Sequence, residues 1–208
     1  MSKARAQKIK LVLFDVDGVL TDGKIWLFPA PAGAQQSTQA AASGRADAGG
    51  YAIVSHNMVE AKGFSAHDGT GISLARLGGL KTGLITKRIS ETVALRARDL
   101  RVDHVLQGIA DKRSAFFGIL EKENLRPEQA AYLGDDIIDL PVMRECGLAI
   151  AVPNGREDVK SEAHWVTEHA GGDGALRDAV EYILGAQDKL SEVIAAYLQV
   201  RGPINKDA

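Results

Sequence analysis

The chain has 208 residues, 45% apolar and 25% charged, which is enough for one good core and short for two, so a single domain is expected. Its 25 basic and 27 acidic side chains leave a net charge of −2, without the positive surplus that a nucleic-acid backbone demands. The lone Cys146 rules out an internal disulfide and reads as a small buried hydrophobe. No stretch reaches transmembrane length, and the apolar run after Lys3, Arg5, Lys8 and Lys10 is too short for a signal peptide, so the expected location is the cytoplasm.

The first predicted element is a strand over 10–14 that runs into Asp15-Val16-Asp17-Gly18. Residues two apart on a strand project to one face, so Asp15 and Asp17 converge just past its end, where Gly18 lets the chain turn away. Such a pair suits a divalent cation, a nucleophile with an acid/base partner, or both. Runs over 24–28 and 58–66 are expected to pair as a hairpin. Between them, residues 29–54 are rich in alanine and glycine and read as a flexible surface insertion. A helix over 72–77 and a strand over 82–86 ending in the Thr86 hydroxyl follow. Ser90 caps a helix over 91–100, and a short strand covers 104–106.

Asp111 caps the next helix, over 112–123, and places Lys112 in its first turn. A cation there opposes the helix dipole, so Lys112 asks for an anionic partner. Pro127 suits the first turn of a short helix. A strand over 130–133 ends in Gly134-Asp135-Asp136-Ile137-Ile138-Asp139, whose adjacent acids repel unless a cation neutralises them. Asp139 is expected to cap a helix over 140–145. A strand over 148–152, a helix over 157–163, a short strand at 165–166 and a helix over 175–184 complete the alternation. Leu190, Val193, Ile194, Tyr197 and Leu198 then mark an amphipathic helical tail, within residues 186–201, that stops near Arg201-Gly202-Pro203. Its apolar face could pack on its own domain or on another subunit. Short apolar runs alternating with amphipathic ones predict an α/β fold with a parallel sheet covered on both faces, and ligands at the carboxyl ends of its strands.

Asp15-Val16-Asp17-Gly18, Thr86, Lys112 and Gly134-Asp135-Asp136 with Asp139, in this order, resemble the four motifs of the haloacid dehalogenase superfamily of phosphohydrolases. The resemblance implies a Rossmann-like three-layer fold. It implies that Asp15 is a nucleophile forming an aspartyl phosphate, that Asp17 is the general acid/base, that Thr86 bonds the phosphoryl group and that Lys112 balances charge. By the same resemblance Mg²⁺ is held by Asp15, the Asp17 carbonyl and Asp135, with Asp136 orienting the shell beside the substrate. Aspartate at position 17, where transport ATPases of the superfamily carry threonine, implies a phosphatase.

A longer match adds Thr21-Asp22-Gly23, Phe64-Ser65-Ala66-His67-Asp68-Gly69-Thr70-Gly71-Ile72, Asp139-Leu140-Pro141 and Gly171-Gly172-Asp173-Gly174-Ala175. These are similar to the 3-deoxy-D-manno-octulosonate 8-phosphate phosphatase family, which implies that substrate and a place in lipopolysaccharide sugar synthesis. The family has a β-hairpin in place of a cap domain, and the hairpin builds a homotetramer in which one subunit covers its neighbour's site; the resemblance thus places the helix from Leu190 near an adjoining subunit and favours that packing for the tail. The chain departs from the family at Lys87, where the pattern has glycine, and in the insertion. Arg88 remains as a cation for a sugar-acid carboxylate; His67 reads as structural. Two other readings stay open: a phosphatase for a nine-carbon sialic-type acid 9-phosphate, and a non-catalytic oligomerisation module.

Overall fold

Strict alternation of inward-facing side chains along short apolar strands builds a sheet with two buried faces. The computed structural model describes residues 2–30, 51–52 and 58–200. In chain order its elements are α1 (Ser2–Ala6), β1 (Leu11–Phe14), β2 (Trp26–Pro29), β3 (Tyr51–Ala52), β4 (Met58–Ala61), α2 (Ala66–Leu77), β5 (Lys81–Ile85), β6 (Arg88–Ile89) and α3 (Glu91–Leu100). There follow β7 (His104–Leu106), α4 (Lys112–Glu123), β8 (Ala130–Gly134), α5 (Leu140–Met143), β9 (Leu148–Ala151), α6 (Glu157–Glu162), β10 (Trp165–Val166), α7 (Ala175–Ala186) and α8 (Leu190–Val200). The main sheet is parallel, in the order β10-β9-β8-β1-β5-β7. β1 lies at its centre, where connections leave in both directions and a crevice opens at the strand ends.

On one face, Val12 and Phe14 of β1, Ala131 and Leu133 of β8, and Leu148 and Ile150 of β9 pack beneath α2, α3, α7 and α8. On the other, Leu11, Leu13, Ala130, Tyr132, Ala149 and Ala151 pack beneath α4, α5 and α6. This is the expected three-layer α/β architecture. Cys146 is buried in the second layer, where burial pushes its thiol up to about 12.

Two of the expected elements differ in extent, and α1, β3 and β6 were not expected. The helix expected over 72–77 begins at Ala66, capped by the Ser65 hydroxyl, which accepts from the His67 N–H. Gly71 falls outside the expected helix, yet a β-carbon on it would press on the backbone of Arg177 in α7. Close helix packing, rather than a turn, accounts for that glycine. The second hairpin strand, expected over 58–66, is limited to Met58–Ala61, paired antiparallel with Trp26–Pro29.

Of the insertion over 29–54, Pro29 closes β2 and the backbone of Tyr51–Ala52 pairs in parallel with Arg88–Ile89. Residues 31–50 and 53–54 of it, and the expected stop at 201–203, lie outside the described residues. Helix α8 settles on its own domain rather than, as the family resemblance favoured, on another subunit: Val193 is 6% exposed, and Leu190 and Tyr197 pack on the core, while Ile194 and Leu198 face solvent.

Candidate active site

Asp15 is the first residue past β1 and is 4% exposed. Its Oδ1 accepts from the Val16 N–H at 2.7 Å and its Oδ2 meets the Lys112 ammonium at 2.9 Å. Lys112 opens α4, where Asp111 caps by accepting from the Ser114 N–H at 3.0 Å. The anionic partner that Lys112 requires is therefore double, because its ammonium also reaches Asp139 at 2.8 Å.

Asp139 makes no capping bond to α5, contrary to the sequence expectation. Its Oδ1 accepts from Lys112 and from the Tyr132 hydroxyl, both at 2.8 Å, and its Oδ2 accepts from the Asp135 and Asp136 N–H groups at 3.0 and 3.3 Å. A fully buried carboxylate satisfied on both oxygens orients its neighbours rather than a helix end.

Asp135 lies against the turn that follows Asp15. Gly18 sits there at φ +97°, and a β-carbon on it would collide with the Asp135 carboxylate, so glycine is required twice over. Asn154 locks the same turn: its amide donates to the Gly18 carbonyl at 2.8 Å, and its oxygen accepts from the Gly171 N–H at 2.7 Å. Thr86, just past β5 and 3% exposed, accepts through its hydroxyl from the Arg88 N–H at 3.3 Å. Lys87 has a negative φ, so the family glycine's backbone freedom is not needed here.

Asp17 stands nearer solvent, apart from the buried cluster. Its Oδ1 is held by the Lys62 ammonium, and its Oδ2 faces Arg88 Nε at 3.6 Å. Arg88 also pairs with Glu60 at 3.0 Å, and Glu60 in turn accepts from the Ser90 hydroxyl at 2.6 Å. Asp136 does not join the carboxylates: it is exposed and turns back to accept from the Ile137 N–H. Asp68 is buried elsewhere, where its carboxylate accepts from the Leu176 and Arg177 N–H groups and burial raises it to about 6; its neighbour His67 is exposed.

The sequence reading missed Lys62, Glu60, Tyr132 and Asn154 and gave Asp139 another task. Lys62 and Asp17 are 45 residues apart in the chain, and Tyr132 passes for an ordinary apolar strand residue. A lysine in an otherwise small and apolar stretch, Ala61-Lys62-Gly63-Phe64, is the one signal that could have exposed Lys62.

Asp15, Asp135 and Asp139 each offer an oxygen within 4.8 Å of the others. Burial, then repulsion from Asp139, raises Asp15 to about 7 against the pull of Lys112. Burial, then Asp139 and Asp15, raises Asp135 to about 8. Burial opposes the Lys112 ammonium, but Asp15 and Asp139 outweigh it and raise its pKa. Among the described residues Lys112 pairs with two of these three acids, and the buried Oδ1 of Asp135 has no hydrogen-bond partner. A hard divalent cation with oxygen ligands fits this set, with Asp15 and Asp135 as the carboxylates available to it.

A parallel sheet between two helical layers, whose central strand ends in two aspartates opposite a helix-borne lysine and a second acidic strand end, defines a haloacid dehalogenase-like hydrolase. The family model of that description matches residues 88–177. The chain is 36% identical over 189 residues to the 3-deoxy-D-manno-octulosonate 8-phosphate phosphatase KdsC of Escherichia coli K12, covering 91% of this chain and 86% of that one. Its fold is similar to that of the same phosphatase from Yersinia pestis (TM-score 0.76, 34% identity, 91% and 88% of the two chains). It is similar also to the Moraxella catarrhalis enzyme in complex with magnesium, phosphate and KDO (TM-score 0.77, 33% identity, 94% and 97%). The chain belongs to the 3-deoxy-D-manno-octulosonate 8-phosphate phosphatase family.

Proposed function

We propose that this chain is a Mg²⁺-dependent phosphatase that converts 3-deoxy-D-manno-octulosonate 8-phosphate to the free sugar acid and phosphate. The observation that carries this reading is the separation of two acids two residues apart. Asp15 is buried on Lys112, and Asp17 is held at the mouth by other cations. In the first step an Asp15 oxygen attacks phosphorus, the bond to the sugar oxygen breaks, and Asp17 protonates that oxygen as it leaves. In the second step Asp17 takes a proton from water, the oxygen attacks the aspartyl phosphate, and Asp15 is released. The Thr86 hydroxyl donates to the phosphoryl oxygens and Lys112 balances their charge together with that of Asp15. Asp15, the Asp17 carbonyl and Asp135 would hold Mg²⁺, which would supply further positive charge at the transferring group. Asp139, rather than Asp136, orients this shell, and Arg88 binds the sugar-acid carboxylate.

Phosphate release from a panel of eight- and nine-carbon sugar-acid phosphates, with Mg²⁺ and with EDTA, tests the reading. Selective, EDTA-sensitive turnover of the octulosonate ester is expected, and preference for a nine-carbon acid would reassign the substrate. The relatives reported above point neither to a nine-carbon substrate nor to a non-catalytic scaffold.

The β2–β4 ribbon projects Trp26, Leu27, Phe28 and Val59, each 42–53% exposed. Large exposed apolar groups on a bare ribbon call for a cover, and a homotetramer of this chain supplies it. The reduced state of a lone buried cysteine supports a cytoplasmic location. Among the described residues no helix is long and apolar enough to cross a membrane.

A further inference from the structure

Lys62 lies in the link between β4 and α2, and its side chain is wholly buried against a partly exposed Asp17. A structural tie between ribbon and body would be the ordinary explanation, but that tie exists without it. Glu60 bonds Arg88 at 3.0 Å and the Ser90 hydroxyl at 2.6 Å, and its carbonyl accepts from Thr92 at 3.4 Å. A buried ammonium is a poor fastener in any case, since one acceptor seldom offsets its lost hydration. What Lys62 contacts is one oxygen of the acid that must deliver and later remove a proton. The second oxygen faces Arg88 at 3.6 Å, and among the described residues Arg88 Nε has no hydrogen-bond partner. The two acids thus have separate cations: Lys112 from the helix side for Asp15, and Lys62 from the ribbon side for Asp17.

We infer that Lys62 is a positioning residue for the phosphatase reaction proposed above, on which this inference rests: it pins Asp17 by Oδ1, leaving Oδ2 as the oxygen that exchanges the proton with the leaving group and water. Because Lys62 follows β4 directly, the placement of the ribbon is transmitted to the acid. Lys62 makes and breaks no bond in the reaction. Its loss leaves Asp15 able to attack but lets the Asp17 carboxylate swing out of line with the departing oxygen.

The leaving group separates this role from a structural one. An alkoxide leaving a sugar needs its proton, whereas nitrophenolate is a stable anion that departs without one. Rapid-quench trapping of the phosphoenzyme, with Mg²⁺ present, is compared for wild type, Lys62→Met and Lys62→Arg, using the octulosonate ester and p-nitrophenyl phosphate. For Lys62→Met, phosphoenzyme formation from the sugar ester should fall roughly 100-fold, while that from p-nitrophenyl phosphate stays within about threefold; Lys62→Arg should restore most of the loss. Equal loss with both substrates, no loss with either, or a raised KM for the sugar ester at unchanged rate would each overturn the inference. If Lys62→Met does not fold by circular dichroism, Lys62→Gln keeps a donor without charge and must show the same selective loss. Wild-type protein that forms no phosphoenzyme from either substrate would overturn the phosphatase reading itself, and with it this inference, before any ratio is compared.

Discussion

The reacting centre is a small charge network in which each carboxylate has one task because of what touches it. Asp15 is buried on a lysine and is the nucleophile in the proposed reaction, so Asp15→Asn, which keeps the shape but not the attacking carboxylate, should abolish phosphate release while melting temperature and assembly are unchanged. Asp139 aims Lys112 through one oxygen and the Asp135 backbone through the other. Asp139→Asn should therefore lower turnover about 10- to 100-fold and raise the Mg²⁺ concentration needed for half-maximal rate, as loss of a group behind a metal ligand does. Tyr132 is fully buried and donates to Asp139. Tyr132→Phe removes only that hydrogen bond and should cost about 1 kcal/mol in urea denaturation.

Two elements owe their placement to bonds from outside themselves. Helix α7 begins at Gly174 with no side-chain cap of its own, and Asp68 of α2 supplies one by accepting from Leu176 and Arg177. Asp68→Ala should destabilise the fold by about 1–2 kcal/mol in the same denaturation measurement. At the sheet edge His164 accepts from the Ala149 N–H at 2.9 Å through Nδ1, a bond that only the neutral ring can make. Partial burial of the ring, then Arg5, lowers its pKa. The folded state therefore prefers the neutral ring. This contribution is complete above the ordinary imidazole value and is lost as pH falls through the lower folded one. The urea midpoint should drop as pH goes below about 6.5, and His164→Asn, which can accept the same bond without titrating, should flatten that slope.

For the whole molecule, one sheet brings every catalytic candidate to a single edge while a bare ribbon projects from that body. The ribbon's exposed Trp26 and Phe28 lie two apart on one strand and so share a face. Light scattering should give the mass of four chains, and the double substitution Trp26→Asp and Phe28→Asp should shift it to lower mass without loss of melting temperature. Helix α8 belongs to the body as well: Val193 and its neighbours complete the core above α2 and α7, so that the tail's buried face is already used within its own chain.

The order of strands and helices, the parallel sheet, and the arrival of Asp15, Thr86, Lys112 and Asp135 at strand or helix ends could be read from the chain alone. Period-two apolar runs, caps such as Ser90 and Asp111, and charge placed against a helix dipole are local signals carried by neighbouring residues. Other features required the folded chain. Gly71 lies outside the expected helix until α7 is seen lying against α2, and Asp139 looks like a cap until Lys112 and Tyr132 converge on it. Lys62 has no visible partner in the sequence, since Asp17 is 45 residues away. Local patterns encode elements because backbone geometry repeats over a few residues. Which buried charge meets which depends on contacts between elements distant along the chain, and only their packing brings those groups within bonding distance.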